Sequence, residues 1–246
     1  TMPYDSIESY GIYDKEKELN IYGENGNIRA LTKYLENQNI EVELKKVTMF
    51  DNIEPSNYDF IYIGMGTEKN QLIALTHLIK YKKAIRDYIE NGGFLLATGN
   101  SFELFGKYII NLKGKKTKAL NIFSYNAKLN DNRIICESIM KADELDDEII
   151  GLQNRGSITE NIEKYWFNVI KTFKPENNAE TKEGIHYKNF YGTYLLGPLL
   201  VRNPKILEEI GNELIKSKNE NYDLKNVDFE LENAAYMADK KRYELK

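Results

Sequence analysis

Asp59-Phe60-Ile61-Tyr62-Ile63-Gly64-Met65-Gly66 and Gly92-Gly93-Phe94-Leu95-Leu96-Ala97-Thr98-Gly99-Asn100-Ser101 are two apolar runs, each feeding a glycine-bearing turn. Nearly unbroken apolar runs of this length read as strands covered on both faces, so both belong near the centre of a sheet. Between them, Leu78, Tyr81, Ile85, Tyr88 and Ile89 fall at helical spacing within 70–90, and Asn91-Gly92-Gly93 stops that helix with residues that tolerate left-handed backbone. Strand, helix and strand in series predict parallel strands with helices packed on the sheet. The Thr98–Ser101 turn then leads into a helix expected to carry Phe102, Leu104, Phe105 and Tyr108. In a doubly wound fold, chemistry gathers at such strand ends.

Working outward, Glu18–Tyr22 reads as a strand, Gly23–Gly26 as a turn, and Ile28, Leu31 and Leu35 as one face of a helix. Ile40, Val42 and Leu44 alternate with charged residues, as expected of a half-buried strand near a sheet edge. Past residue 110 the pattern becomes strand-rich, with strands expected at 120–123, 132–135, 184–188 and 190–196. Asn203-Pro204 offers an N-cap and a first-turn proline to a helix through Ile206, Ile210 and Leu214, and Leu224 to Ala238 reads as an amphipathic tail helix. The expected organisation is one α/β domain over 18–217, a mostly parallel sheet flanked by helices. A short N-terminal extension (1–17) precedes it, and a helical tail (218–246) packs back on it.

The 246 residues suffice for a real core, and the 34 basic against 38 acidic residues leave a formal charge of −4, which argues against generic nucleic-acid binding. One cysteine and two histidines provide neither a disulfide framework nor a zinc cluster, so no metal and no cofactor is expected. Thr1–Ser6 lacks the basic and apolar regions of a signal peptide, and no run approaches a membrane span in length, so a cytoplasmic location is expected. Gly64-Met65-Gly66 has the context of a nucleotide loop, but Lys69 stands where the third glycine of a dinucleotide fingerprint belongs, and no P-loop triplet occurs. What survives is a loop whose backbone N–H groups a ligand can approach closely.

Four segments in order carry a family resemblance: Leu19–Asn27, Gly64-Met65-Gly66 with Gln71, Gly92–Ala97 through Gly106-Lys107-Tyr108, and Gly192–Leu200. Together they resemble the class I glutamine amidotransferases of the cobyric acid synthase type, whose fold is flavodoxin-like. Within that family the likeness is to the glutaminase subunits of peptidoglycan-precursor (lipid II) amidation. It spans roughly residues 18 to 217, and Gly151–Gly156 is similar to a further segment of the family.

The resemblance implies a cysteine on the strand-to-helix turn that attacks the glutamine amide, a histidine from a later loop that moves the proton, and backbone N–H groups that hold the oxyanion. Registered from Gly106, the nucleophile position is Gly99; registered from Gly192–Leu200, the histidine position is Leu196. Neither side chain can do the chemistry, and Arg155 stands where the related segment has a histidine. Gly64 and Gly66 retain the oxyanion loop, Asn100 offers a further donor, and Arg133 matches an arginine near the glutamine site. The remaining candidates have plainer readings. Ser101 suits a helix N-cap, Cys136 buried packing, His186 a structural or solvated role, and His77 the surface.

The expectation is therefore a glutaminase-like protein unable to hydrolyse glutamine. It would bind a Mur-ligase-like synthetase partner or a glutamine-like small molecule. The alternatives are an active amidotransferase with a relocated site, centred on Cys136, and a sensor of small carboxylates acting through Arg133 and the Gly64–Gly66 loop.

Overall fold

The computed structural model describes residues 6–12, 23–173 and 181–244. Its strands are β1 (Ser6–Ile12), β2 (Glu41–Val47), β3 (Phe60–Ile63), β4 (Phe94–Thr98), β5 (Tyr108–Ile110) and β6 (Lys116–Lys118). They continue as β7 (Asn126–Lys141), β8 (Ile149–Glu160), β9 (Tyr165–Phe173), β10 (Lys182–Tyr187), β11 (Phe190–Thr193) and β12 (Leu195–Leu196). The helices are α1 (Asn25–Asn37), α2 (Glu68–Leu78), α3 (Lys82–Glu90), α4 (Leu199–Arg202), α5 (Pro204–Lys218) and α6 (Glu230–Glu244).

All described strands join one sheet in the order β12-β8-β7-β9-β10-β11-β4-β3-β1-β2, with β5 and β6 branching from β7. From β2 to β11 neighbours run parallel; from β11 to β12 they run antiparallel. This is the α/β sheet the two apolar runs call for, and the strand-rich second half supplies its antiparallel wing. The period-2 alternation of β3 and β4 divides the core. Ile61, Ile63, Leu95 and Ala97 pack with Leu75, Leu78, Ile85 and Ile89 of α2 and α3 on one face. Phe60, Tyr62, Phe94 and Leu96 pack with α1 and α5 on the other, which is why neither strand carries a polar face.

Several expectations need correction. The strand expected at 18–22 lies outside the described residues. Residues 6–12, expected as an extension, form an interior strand hydrogen-bonded to β2 on one side and β3 on the other. The single helix expected over 70–90 is two helices joined by a 3-10 turn at Ile79–Tyr81. Residues 99–105 form a 3-10 segment, not an α-helix, and Tyr108 lies in β5. The segment stops at Gly106, whose extended backbone (φ −71°, ψ −174°) leads into β5, held by its pairing with β6 and β7. No strand forms at 120–123, where Asn121 adopts φ +50°. The tail helix starts at Glu230, later than expected. Leu224, Val227 and Phe229 pack against the core as irregular chain, Leu231 is 82% exposed, and the helix docks instead through Tyr236 and buried Tyr243. Asn203 precedes Pro204 of α5 as expected, but its amide makes no cap hydrogen bond. It joins both backbone groups of Ile150 (2.8 and 3.0 Å) and the Leu199 carbonyl (2.9 Å), fixing α4 and α5 to β8.

Candidate functional site

β4 and β11 are parallel neighbours with Thr98 opposite Thr193, so the chain leaves both strands at the same end of the sheet. Past Thr98, Gly99 takes φ +62°, the left-handed conformation that a side chain strains. Past Thr193, the chain crosses to pair Leu195 and Leu196 with Gln153 and Leu152 of β8. These two exits bring positions 99 and 196 together, with Met65 from the loop after β3 between them. A methyl group at 99 would lie 2.6 Å from Met65 Cβ, 2.8 Å from Met65 Cγ and 3.0 Å from Leu196 Cδ2. Met65 is 3% and Leu196 1% exposed, so the space in front of the turn is filled and dry. Gly99 has no side chain, and neither Met65 nor Leu196 can attack a carbonyl or move a proton.

The loop that was expected to offer its backbone to a ligand is closed by its own neighbour. Asn100 Oδ1 accepts the Gly66 N–H at 3.1 Å, and Asn100 Nδ2 donates to the Gly66 carbonyl at 2.9 Å. The Gly66 donor and both ends of the Asn100 amide are therefore committed to each other; Gly64 lies buried beside them. Ser101 does not cap a helix: its hydroxyl donates to the carbonyls of Ile63 (2.6 Å) and Thr98 (2.8 Å), tying the ends of β3 and β4 together. Gln71 Nε2 donates to the Asn100 carbonyl (2.6 Å) and to Glu103 (2.7 Å). Glu103 also accepts the Tyr194 hydroxyl (3.2 Å), and Arg155 lies 4.5 Å over the Tyr194 ring. Burial raises the Glu103 carboxyl above its usual range, against the pull of Gln71, Ser157, Tyr194 and Arg155. Arg155 thus works as part of a buried cluster, donating to the Ser157 carbonyl at 2.9 Å.

Directly behind the apolar contact lies a second buried acid. Glu24, immediately before α1, accepts hydrogen bonds from the Thr98 and Tyr62 hydroxyls and from the Gly197 N–H (3.1 Å). Asn27 donates to the Tyr62 oxygen (3.0 Å) and accepts the Leu200 N–H (2.8 Å). One cluster so links α1, β3, β4 and the 197–200 segment. Burial pushes the Glu24 carboxyl up to about 7, opposed by its bonds to Thr98, Gly197 and Tyr62. Composition and periodicity did not single out Glu24 or Glu103. The available signal was an acid inside an otherwise apolar or turn-forming segment, Gly23-Glu24-Asn25-Gly26 and Phe102-Glu103-Leu104-Phe105.

Arg133 stands apart from the elbow, at the rim. Its guanidinium donates to Glu68 Oε1 (2.8 Å), two residues past Gly66, and to the Asn154 side chain and carbonyl. An internal carboxylate already occupies it, and the hydrogen bond from Arg133 holds Glu68 below the usual carboxylate range. Cys136 is buried in β7, two strand spacings, about 10 Å, from Leu195. His186 is structural, bonded to Glu144 (2.8 Å) and stacked on Tyr191. His77 is not on the surface: it is 6% exposed, with Nε2 2.9 Å from the Asp51 carbonyl oxygen. Among the described residues no group of three His, Cys, Asp or Glu is placed to hold a metal ion, and no helix is long and apolar enough to cross a membrane.

Comparison with known proteins gives this geometry its context. Residues 13–204 match the CobB/CobQ-like glutamine amidotransferase domain. The GatD subunit of the glutamine-hydrolysing lipid II isoglutaminyl synthase of Staphylococcus aureus is 31% identical over 218 residues, covering 87% of this chain and 88% of that protein. The corresponding subunit of Streptococcus pneumoniae is 29% identical over 202 residues, 81% of this chain and 78% of that one. Among solved structures, PurLQS from Thermotoga maritima superposes with a TM-score of 0.53 at 12% identity, covering 88% of this chain and 98% of that one, a likeness of fold.

Proposed function

Because the chain belongs to the CobB/CobQ-like glutamine amidotransferase family, we propose that it is a member that has lost glutamine hydrolysis and acts as a binding or regulatory subunit beside a Mur-ligase-like synthetase of lipid II amidation. One observation carries this reading: the elbow residue is glycine, and Met65 and Leu196 fill the space a nucleophile would use. Amide hydrolysis by this route needs a nucleophile, a base within hydrogen-bond reach and a free oxyanion donor. Position 99 supplies no side chain, position 196 supplies an aliphatic one, and the Gly66 N–H is held by Asn100. Residues that act as a unit fail together, so the loss of both members removes nearly the whole rate.

A glutamine-like ligand at this site has to displace Glu68 from Arg133 and break the Asn100–Gly66 pair, which makes partner binding the better supported role. The test is reconstitution with a Mur-ligase-like synthetase, lipid II and ATP. The complex is expected to form by light scattering and to amidate lipid II from ammonium but not from glutamine. Amidation from glutamine at a rate matching ammonium would overturn the proposal.

A further inference from the structure

Positive charge is concentrated in one stretch of the chain. Between Leu104 and Asn130 the chain carries six lysines and no acidic residue, although its formal charge is −4. Five of the six lie at 107–118, on the hairpin of β5 and β6 and its approach, where Tyr108 pairs with Lys118 and Ile110 with Lys116. Lys107, Lys113, Lys115, Lys116 and Lys118 are all exposed, and among the described residues none of them joins an ion pair. The sixth, Lys128, differs by pairing with Glu160.

The tip of the hairpin is fixed, not loose. Asn111 Oδ1 accepts the N–H groups of Lys113 (3.0 Å) and Lys115 (2.9 Å), and the Gly114 N–H donates to the Asn111 carbonyl (2.8 Å). That turn holds Leu112 outward, 58% exposed, amid the lysines, while buried Ile109 anchors the hairpin in the core. We propose that this hairpin is a docking element for an anionic phospholipid surface, its lysines meeting lipid phosphates and Leu112 entering the headgroup boundary. Lysines near a negatively charged leaflet strengthen attachment by roughly fivefold each, and an apolar residue at the point of contact adds to it. Single-stranded nucleic acid is the poorer fit. The hairpin has no arginine, and its one aromatic, Tyr108, has the Lys107 and Lys116 ammonium groups 5.7 and 5.5 Å from its ring centroid; a single ring offers no series of stacking platforms for successive bases.

The experiment is co-sedimentation of the full chain with vesicles of phosphatidylcholine alone and of phosphatidylcholine with phosphatidylglycerol in equal parts. Binding is expected to the mixed vesicles only and to fall with salt. The exposed triple variant Lys113→Gln, Lys115→Gln, Lys116→Gln is expected to bind at least about tenfold more weakly, and Leu112→Ser by a smaller factor, with unchanged circular dichroism. Equal binding to both vesicle types, full binding by the triple variant, or tighter capture of a single-stranded oligonucleotide through the same lysines would each overturn the proposal.

Discussion

Two groups of residues share the C-terminal end of β4 and could hardly differ more. In front of the turn, Gly99, Met65 and Leu196 form a dry apolar contact without a single hydrogen-bonding side chain. Behind it, Glu24, Asn27, Tyr62 and Thr98 form a buried polar cluster with the backbone of Gly197 and Leu200. Folding constrains the two unequally. Each member of the polar cluster satisfies another buried group, and removing one leaves a partner desolvated at a cost of about 1–3 kcal/mol. A nucleophile and a base have no such structural duty, and apolar residues in their places pack well. The scaffold of a glutaminase can therefore outlast its chemistry.

The sharpest way to break this contrast is to put a side chain back at the elbow. Gly99→Ala is expected to destabilise by about 4 kcal/mol, from left-handed strain plus overpacking against Met65, read by denaturant unfolding. For the same reason Gly99→Cys with Leu196→His is expected to release no ammonia while Met65 is intact, and to gain slow release once Met65→Ala opens the space and Asn100→Ala frees the Gly66 N–H. Turnover by the variant that keeps Met65 would show that the contact is not the seal described.

The polar side is tested by pH. In the unfolded chain Glu24 titrates near 4.5, and in the folded protein at about 7. Below both values the carboxyl is protonated in either state. As pH rises from about 4.5 to 7, the unfolded chain ionises first and stability falls, reaching a penalty of about 3 kcal/mol above 7. Glu24→Gln, which copies the protonated form, is expected to lack that decline, so the two stability curves converge toward low pH. Parallel curves would contradict a buried acid of raised pKa.

Smaller effects sharpen the boundary. Asn100→Ala leaves the buried Gly66 N–H without its acceptor and is expected to cost about 2 kcal/mol. Arg133→Gln breaks an exposed pair with Glu68 and is expected to cost under about 1 kcal/mol, with its effect shrinking in salt.

How far the sequence carried this reading depended on the kind of signal. The apolar runs at 60–63 and 94–97 announced buried central strands because both faces of the sheet are covered, and alternation at 40–44 announced the edge strand β2. Strands β8 and β9 were not foreseen: burial in β8 alternates regularly, but its buried positions include the polar Gln153, Arg155 and Ser157, so no apolar alternation shows in the sequence, and burial in β9 alternates only in part. The tail helix was displaced because the apolar spacing of Leu224, Val227 and Leu231 is equally compatible with irregular chain lying on the core. At the site, the ordered motifs drew attention to positions 99 and 196, which the fold brings together, but the closure by Met65 and the Asn100–Gly66 pair was not legible. Both depend on close approach between loops, which no spacing along the chain encodes.

Ammonia release from glutamine by the purified wild-type protein, alone and with a Mur-ligase-like synthetase, tests most directly whether glutamine hydrolysis has been lost. No release above background is expected in either case. Release that saturates with glutamine and survives removal of contaminating glutaminase would contradict the loss of catalysis and direct the search for a nucleophile to Cys136.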